Sequence, residues 1–314
     1  MPSDYLHNHS DFADLIRIVG QEKSIDPALV EKDYWVMHCL FGLQQMGLNF
    51  ELKGGTSLSK GFDIINRFSE DIDLRIQPPA DRDVKTGRNQ DKPAHIESRK
   101  EFYDWLAKTI TLDGIYQVVR DEAFDDEKYR SGGIRLNYKN TAGPVTGLKE
   151  GILLEVGFDD VTPNMPKDIS SWAYDYAADK VEIIDNRAKA VLCYHPGYTF
   201  VEKLQTISTK YRTQQEREAF PVNFMRHYYD VFCLLDEPIV QEFIGTQEYK
   251  LHKDKRFRSG DNPHIAENEA FLLNNKTIYK QYEEAYQNTR ALYYKTQPGF
   301  NEIIDKIRQR AENL

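Results

Sequence analysis

The sequence contains no long apolar run and no segment with the features of a targeting signal. No stretch approaches the roughly 18 consecutive apolar residues of a membrane-spanning helix, which argues against a membrane protein. The first residues, MPSDYLHNHSDF, lack the basic-then-apolar pattern of a secretory signal, so we expect a cytoplasmic protein. A hydrophobic fraction of 40% over 314 residues is enough for one large domain or two modest ones.

Cysteine and net positive charge are also scarce. The three cysteines, Cys39, Cys193 and Cys233, form no CxxC pair, so we expect reduced core residues and no zinc site. The formal net charge of −9 argues against a protein that wraps nucleic acid over its whole surface, although it permits a local basic cleft.

The patterns that are present change along the chain from mixed helix and strand to mostly helix. Ser24 or Asp26 can cap a helix whose first turn holds Pro27 and which ends at Gly47. Further elements before residue 160 are predicted as strands at FELKG, DIDLRI, GGIRLNYKN and GILLEVGFDD, and as helices at GTSLSKGFDII and HIESRKEFYDWLAKTI. Residues 78–93 and the Gly/Pro-rich TAGPVTGLKE are predicted connections. We therefore predict an α/β (α+β) domain with a small mixed sheet at 1–160, and a mostly helical domain at 161–314.

Asp71 and Asp73 in DIDLRI are the first candidates for chemistry. Alternate residues of a strand point to the same face, so these carboxylates project together while Ile72 and Leu74 face the core. Neighbouring carboxylates repel each other, and a divalent cation such as Mg²⁺, which prefers oxygen ligands, relieves that repulsion. A D-x-D pair alone also occurs by chance on surface strands.

The residues before this strand form a phosphate-binding pattern. Gly54 and Gly55 let the backbone approach a ligand closely, and Thr56 and Ser57 open a helix whose free N–H groups favour anions. A third carboxylate, Glu155, lies inside the apolar strand ILLEVGF. It is either a residue on a solvated strand face or the third ligand of a two-metal site that activates a hydroxyl and stabilises a leaving pyrophosphate.

The block GGTSL…RFSEDIDL resembles the signature of the DNA polymerase β-type nucleotidyltransferases. More narrowly, it resembles the AbiEii/AbiGii nucleotidyltransferase toxins of bacterial abortive-infection and toxin–antitoxin systems. Four further segments resemble parts of that family: LVEKDYWV, FVEKLQTIS, RHYYDVFCLL and HKDKRFRSGD. The resemblance implies a polymerase β-like nucleotidyltransferase domain followed by a helical domain. It also implies that Asp71 and Asp73 bind two Mg²⁺ ions, with Glu155 near the attacking hydroxyl.

The resemblance implies roles for further residues. Gly55 and Ser57 would hold the β and γ phosphates of a nucleoside triphosphate, and Ser69 is a weaker candidate for phosphate contact. Lys203 would neutralise triphosphate charge, and Asp230 would position or pair with it. A solvated Lys203 and a simple helix salt bridge at Asp230 are the alternatives. Arg67 can bridge to a carboxylate, and His227 stands where an acid is common in the family, which leaves the role of its helix open.

The densest positive cluster is the predicted binding site for the acceptor. It consists of Lys250, His252, Lys253, Lys255, Arg256 and Arg258, with Tyr249 and Phe257 interleaved. Cations next to aromatic rings suit RNA, and because members of the resembled family add nucleotides to tRNA acceptor ends, tRNA is the leading acceptor. A solvated basic loop is the alternative. Tyr279, Tyr282 and Tyr286, at helical spacing, are expected to pack against the core.

The sequence thus predicts a magnesium-dependent nucleotidyltransferase toxin that uses an NTP, modifies RNA, and has a possible cognate antitoxin but no membrane partner. The acceptor could instead be a protein or a small molecule. A nucleotide-binding module without turnover is a further hypothesis, which the complete set of Asp71, Asp73 and Glu155 disfavours. A glycosyltransferase D-x-D is disfavoured because the glycine turn precedes the acidic strand.

Overall fold

The computed structural model describes residues 4–143, 149–217, 220 and 224–314. The chain divides into two compact units, Met1–Phe62 with Phe68–Tyr194, and His195–Leu314 with the short segment Asp63–Arg67. Within these described stretches, no helix combines the length and apolar character needed to cross a membrane.

The first unit contains a seven-stranded mixed sheet. Its strands are β1 (Phe50–Lys53), β2 (Asp71–Ile76), β3 (Ile115–Arg120), β4 (Ser131–Tyr138), β5 (Ile152–Gly157), β6 (Asn164–Ile169) and β7 (Ala188–Tyr194). Their order across the sheet is β3-β4-β5-β2-β1-β7-β6. β1 is parallel to β7 and β2 to β5, and the other neighbours are antiparallel. The predicted α/β class with a mixed sheet is confirmed.

The unit contains five α-helices in its described part, of which α2 and α4 lie close to predicted helices. They are α1 (Phe12–Lys23), α2 (Pro27–Gln45), α3 (Gly54–Thr56), α4 (Pro93–Thr109) and α5 (Trp172–Ala177). Asp26 rather than Ser24 caps α2, since its side chain accepts a hydrogen bond from the N–H of Ala28. Ser24 instead ends α1 in a left-handed conformation. The three cysteines are unpaired, as expected.

Several elements differ from the prediction. The helix predicted over GTSLSKGFDII is short, because α3 passes into a π-helical turn at Ser57–Gly61 and ends there. Strands β3, β6 and β7 were not predicted. Because β6 and β7 belong to the sheet, the first unit extends to Tyr194, beyond the predicted boundary at residue 160. Strand β6 was missed because its sequence, NMPKDI, contains a proline and polar residues and has no hydrophobic run, which is typical of an edge strand. Residues 144–148 of the predicted β4–β5 connection lie outside the described residues.

The second unit is helical in its described part. Its helices are α6 (Pro196–Arg217), α7 (Arg226–Leu234), α8 (Pro238–Phe243), α9 (Gln247–Arg256), α10 (Glu269–Leu272), α11 (Lys276–Gln287) and α12 (Phe300–Arg310). Tyr282 and Tyr286 of α11 are buried, which confirms that they pack in the core. The segment Asp63–Arg67 is held here because Tyr294 donates its N–H to the Asn66 carbonyl and its hydroxyl to the Ile65 carbonyl.

Candidate active site

The acidic residues of the first unit lie next to one another across neighbouring strands. Asp73 of β2 is directly opposite Glu155 of β5, and on its other side it pairs with Lys53 of β1. Asp71 lies on the same face of β2, and the strand alternates between half-buried acids and fully buried Ile72 and Leu74. The predicted orientation of this strand is therefore confirmed.

Glu155 is not a solvated residue on an exposed strand face. Burial, together with the negative charges of Asp73 and Asp71, raises the pKa of Glu155 to about 8. The Glu155 carboxyl also forms a hydrogen bond with the Asp73 carboxylate, which favours its protonated form. A carboxyl group whose pKa is raised by burial and by neighbouring negative charge is typical of functional sites.

The chemistry of these donors fits a magnesium site. Mg²⁺ binds carboxylate oxygens, and the three acids supply only such ligands. Across the described ranges, no group of three His, Cys, Asp or Glu side chains is arranged to hold a metal ion. A cation that used the Glu155 carboxyl would have to displace the proton that the raised pKa of this group favours. The ligand roles of Asp71, Asp73 and Glu155 stay predictions.

The glycine turn after β1 packs directly against Asp73. Gly54 has a φ of +71°, and a Cβ atom at this position would lie 1.9 Å from Oδ2 of Asp73. Gly54 is therefore required twice, by its left-handed backbone and by the space that the Asp73 carboxylate occupies. The glycine turn and the acidic strand are therefore packed against each other as one structural unit.

The side chains that follow Gly54 are turned inward. Thr56 and Ser57 are fully buried, and the Thr56 hydroxyl donates to the Asp71 carbonyl at 2.5 Å. The Ser57 hydroxyl lies beside the thiol of Cys193 without a well-formed hydrogen bond. Neither hydroxyl is accessible to a phosphate in this structure, so the predicted phosphate role is left with the backbone N–H groups of the turn. Ser69 is half-buried, and its phosphate contact also stays a prediction.

Lys32 of α2 supports the start of the acidic strand, and sequence analysis assigned it no role. Its side chain is almost fully buried, with Nζ 3.5 Å from Oε2 of Glu70 and donating to the Lys149 carbonyl at 2.6 Å. Glu70 also accepts the N–H of Lys149 at 3.1 Å. Because Glu70 directly precedes Asp71, these contacts fix the point at which the acidic strand begins.

The neighbours of Lys32 on α2 hold other segments of the first unit. Asp33 lies 2.6 Å from Nζ of Lys60 in the π-helical turn and accepts the N–H of Trp172 at 2.8 Å. Glu31 accepts hydrogen bonds from the N–H and hydroxyl of Thr141, each at 3.0 Å. Three consecutive charged residues inside an otherwise apolar helix were the sequence signal for this arrangement, because one of them at least must be buried and paired.

The residues predicted in the C-terminal half meet in the second unit. Arg67 donates two hydrogen bonds to the Asp230 carboxylate, each 2.7 Å long, and Nζ of Lys203 lies 2.9 Å from Oδ2 of Asp230. Asp230 is fully buried; burial alone raises its pKa, but the charges of Arg67 and Lys203 outweigh this effect and hold the pKa well below its usual range. Asp230 is therefore part of a buried ion triad, which excludes both the solvated Lys203 and the simple helix pair.

His227 lies beside this triad. Its Nδ1 is 3.5 Å from Nζ of Lys203. Burial lowers the pKa of His227 well below its usual value, and the positive charges of Lys203 and Lys210 add to the effect, so the imidazole is neutral at physiological pH. This neutral group stands where the resembled family commonly has an acid, and the charges of Arg67, Lys203 and Asp230 beside it sum to a net positive charge.

The basic cluster near the C-terminus lies on helix α9, and much of its charge is compensated. Lys253 donates to the C-terminal Leu314 at 2.5 Å, and Arg256 lies 3.4 Å from Glu202. Tyr249 is buried, so its ring packs in the core and is not available to stack on a base. The expectation that Tyr249 joins a stacking surface is therefore wrong, while acceptor binding by the cluster stays a prediction.

Comparison with solved structures shows which known folds this chain is similar to. The fold is similar to that of MenT4, a nucleotidyltransferase toxin from Mycobacterium tuberculosis H37Rv, with a TM-score of 0.50 and 15% identity over 95% of this chain and 97% of that chain. A second structure, an antigenic nucleotidyltransferase-like protein from Paracoccidioides brasiliensis, has a TM-score of 0.36 and 15% identity over 72% of this chain and 87% of that chain. A search of curated proteins gave no significant match.

The family follows from the sequence itself. The model of the nucleotidyl transferase AbiEii toxins of type IV toxin–antitoxin systems matches residues 36–306. The chain belongs to this family and is a nucleotidyltransferase, as its motifs predicted.

Proposed function

We propose that this enzyme transfers a nucleotide from a nucleoside triphosphate to RNA, with tRNA as the leading acceptor, in a magnesium-dependent reaction. The observation that supports this most is the cluster of Asp71, Asp73 and Glu155 on one face of the sheet, where burial and neighbouring negative charge raise the pKa of Glu155. Such a cluster costs stability, and groups with strongly shifted pKa values are concentrated at functional sites.

The residues of the first unit would divide the work as follows. Asp71 and Asp73 would hold two magnesium ions, and Glu155 would act as the third ligand close to the attacking hydroxyl. Bound magnesium ions would neutralise charge on the attacking and leaving oxygens of an in-line displacement. The backbone of the turn from Gly54 to Ser57 would contact the phosphates, since its glycines allow close approach.

The second unit would contribute charge. Lys203 would neutralise part of the triphosphate, and the buried Asp230, with its bidentate partner Arg67, would fix the position of the Lys203 ammonium. The net positive charge of this triad is consistent with a phosphate partner. The basic residues of α9 would add contacts to the RNA backbone, namely Lys250, Lys253, Lys255, Arg256 and Arg258. We further propose a cytoplasmic location and a cognate antitoxin, in line with the toxin–antitoxin family.

A labelling experiment tests the proposal. The protein is incubated with each labelled nucleoside triphosphate, total RNA and Mg²⁺, and the product is treated separately with ribonuclease and protease. We expect a label that ribonuclease removes, that EDTA prevents, and that added Mg²⁺ restores. Asp71→Ala should lose the label, whereas Asp81→Ala, which removes an exposed carboxylate in the loop after β2, should retain it.

The outcomes separate the acceptor from the chemistry. Label that resists ribonuclease but yields to protease would replace RNA with a protein acceptor. Equal labelling by wild type and Asp71→Ala would remove the acidic strand from the reaction. Nucleotide binding by calorimetry without any labelled product would support a binding module.

A further inference from the structure

A cavity of about 600 Å³ lies in the first unit, beside the end of β4 and the start of β5. This volume lies within the range of small-ligand sites. Its polar lining combines three lysines with amide and hydroxyl groups and one carboxylate, and it includes Lys32, Lys139, Lys149, Asn137, Asn140, Tyr116 and Glu150.

The lining has the chemistry that a nucleotide requires. Lys139 is exposed and forms no ion pair with a described residue, so its ammonium is available to a phosphate. Tyr116 is 71% exposed, which is unusual for a large aromatic ring and leaves its face open for a base to stack on. The Asn137 amide nitrogen donates to Oε1 of Gln117 at 3.2 Å, so its oxygen is the atom that can accept a hydrogen bond from a base edge.

Strand β4 connects this cavity to the acids. Gly133 of β4 lies opposite Glu155, and Asn137, on the same face of β4 and four residues further along, lines the cavity. Four residues of strand span about 13 Å, which the terminal nucleotides of an RNA can bridge.

The position of the cavity relative to the glycine turn indicates which substrate it takes. The turn follows β1, on one side of the acidic strand β2, whereas the cavity borders β4 and β5 on the other side. In an in-line displacement the attacking hydroxyl enters opposite the leaving pyrophosphate. With the triphosphate at the turn, the hydroxyl must therefore enter from the side of β5.

We propose that this cavity binds the terminal nucleotides of the acceptor RNA, with Tyr116 stacking on a base and Lys139 contacting a phosphate. The inference rests on the proposed function, because it assumes an RNA acceptor and a triphosphate at the glycine turn. It assigns the cavity to the acceptor and not to the nucleoside triphosphate.

A binding experiment without catalysis tests the site. The probe is a fluorescein-labelled five-nucleotide single-stranded RNA, titrated with the full chain in EDTA and followed by fluorescence anisotropy. Tyr116→Ala should weaken binding about tenfold, and Tyr116→Phe, which keeps the ring, should restore most of the affinity. Lys139→Ala should weaken binding, and it should reduce the slope of log K against log salt concentration by about 1, the effect of one lost phosphate contact. Lys108→Ala, an exposed lysine on α4, is the matched control and should match wild type.

The transfer reaction provides the second readout. Tyr116→Ala should raise the KM for RNA about tenfold while the KM for the nucleoside triphosphate stays the same. A raised KM for the triphosphate alone would assign the cavity to the other substrate, and unchanged RNA affinity in both Tyr116→Ala and Lys139→Ala would remove it as an RNA site. If wild type labels no RNA, the proposed function fails. Probe binding in EDTA that Tyr116→Ala weakens would even then support the cavity as an RNA site.

Discussion

At the scale of residues, the contact between Gly54 and Asp73 defines the centre of the candidate site. The Asp73 carboxylate occupies the volume that any side chain at position 54 would need. Gly47 and Gly54 both have a left-handed backbone with a φ of +71°. This conformation alone disfavours a side chain by only a modest amount, and by the same amount at both positions. The close approach to Asp73 is what distinguishes Gly54.

We predict that Gly54→Ala abolishes measurable nucleotidyl transfer, because the new methyl group displaces the Asp73 carboxylate. Gly47→Ala is the matched control, since nothing lies within 4 Å of its added Cβ and only the backbone is strained. Both variants should lose about 1 kcal/mol from the backbone, with a further loss in Gly54→Ala. Urea unfolding and the labelling assay give both quantities. Equal activity in the two variants would show that the contact with Asp73 is unimportant.

The raised pKa of Glu155 predicts a variant that is more stable but less active. Between the ordinary value of 4.5 and about 8, the unfolded chain has lost a proton that the folded protein still binds, so stability falls as the pH rises. Glu155→Gln cannot ionise, and in EDTA it should exceed wild type by about 1–2 kcal/mol at pH 8 but by almost nothing at pH 4.

Urea unfolding at pH 4, 6 and 8 measures this difference. Glu101→Gln, which replaces an exposed carboxyl on α4, should show no such pH dependence. A stability difference between Glu155→Gln and wild type that is the same at all three pH values would contradict the shifted pKa.

At the scale of elements, helix α2 organises the first unit through charges that are out of contact with water. Lys32 and Asp33 each hold a segment next to the candidate site, the start of β2 and the π-helical turn after Gly54. Burial lowers the pKa of Lys32 and raises that of Asp33, so both charges depend on their partners. The family-like motif LVEKDYWV thus supports the start of the acidic strand.

We predict that Lys32→Met destabilises the protein by about 3 kcal/mol, because it leaves the buried Glu70 without a counter-charge. Combining it with Glu70→Gln should recover at least half of that loss, since the unpaired charge is removed as well. Lys100→Met breaks a partly exposed pair with Asp104 and should cost less than about 1 kcal/mol. A double-mutant cycle by urea unfolding measures the coupling, and additive effects would mean that Lys32 and Glu70 do not interact.

The elements also show how far the sequence could lead. The strand with Asp71 and Asp73 was predictable because alternation is a local pattern, and the pairing of Lys203 with Asp230 because the family motif supplied it. The partners of Lys32 and Glu31 were not, since Glu70 and Thr141 lie far along the chain and meet them only in the folded protein. The inward orientation of the Ser57 side chain was not predictable either, because its neighbour Cys193 of β7 lies far along the chain.

At the scale of the whole molecule, the division into units does not follow the order of the chain. The sheet-bearing unit continues to Tyr194, and Asp63–Arg67, which lies between the π-helical turn and β2, belongs to the helical unit. Within that unit the segment supplies Arg67 to the buried Asp230 and a carbonyl to the Tyr294 hydroxyl. The helical unit is therefore completed by residues that come from the N-terminal half of the sequence.

We predict that residues 195–314, produced alone, do not unfold cooperatively. Without Arg67, the buried Asp230 keeps only Lys203, and removing one partner of a buried charge group costs about 3–5 kcal/mol. Arg67→Met in the full chain should show a loss of this size by urea unfolding, and Arg67→Lys a smaller one. A cooperative thermal transition of the isolated fragment, followed by circular dichroism, would contradict the prediction.

Because Asp63–Arg67 belongs to the helical unit, it also limits where this chain can be divided or joined to another. A gene fusion or natural truncation at the boundary near residue 195 would separate Asp230 from its arginine, although it would cut no helix and no strand. Exchange of C-terminal halves between relatives would preserve the ion triad only if the donor and recipient agree on the short stretch between the glycine turn and the acidic strand. We therefore expect the helical unit to be exchanged only together with Asp63–Arg67, and not as residues 195–314 alone.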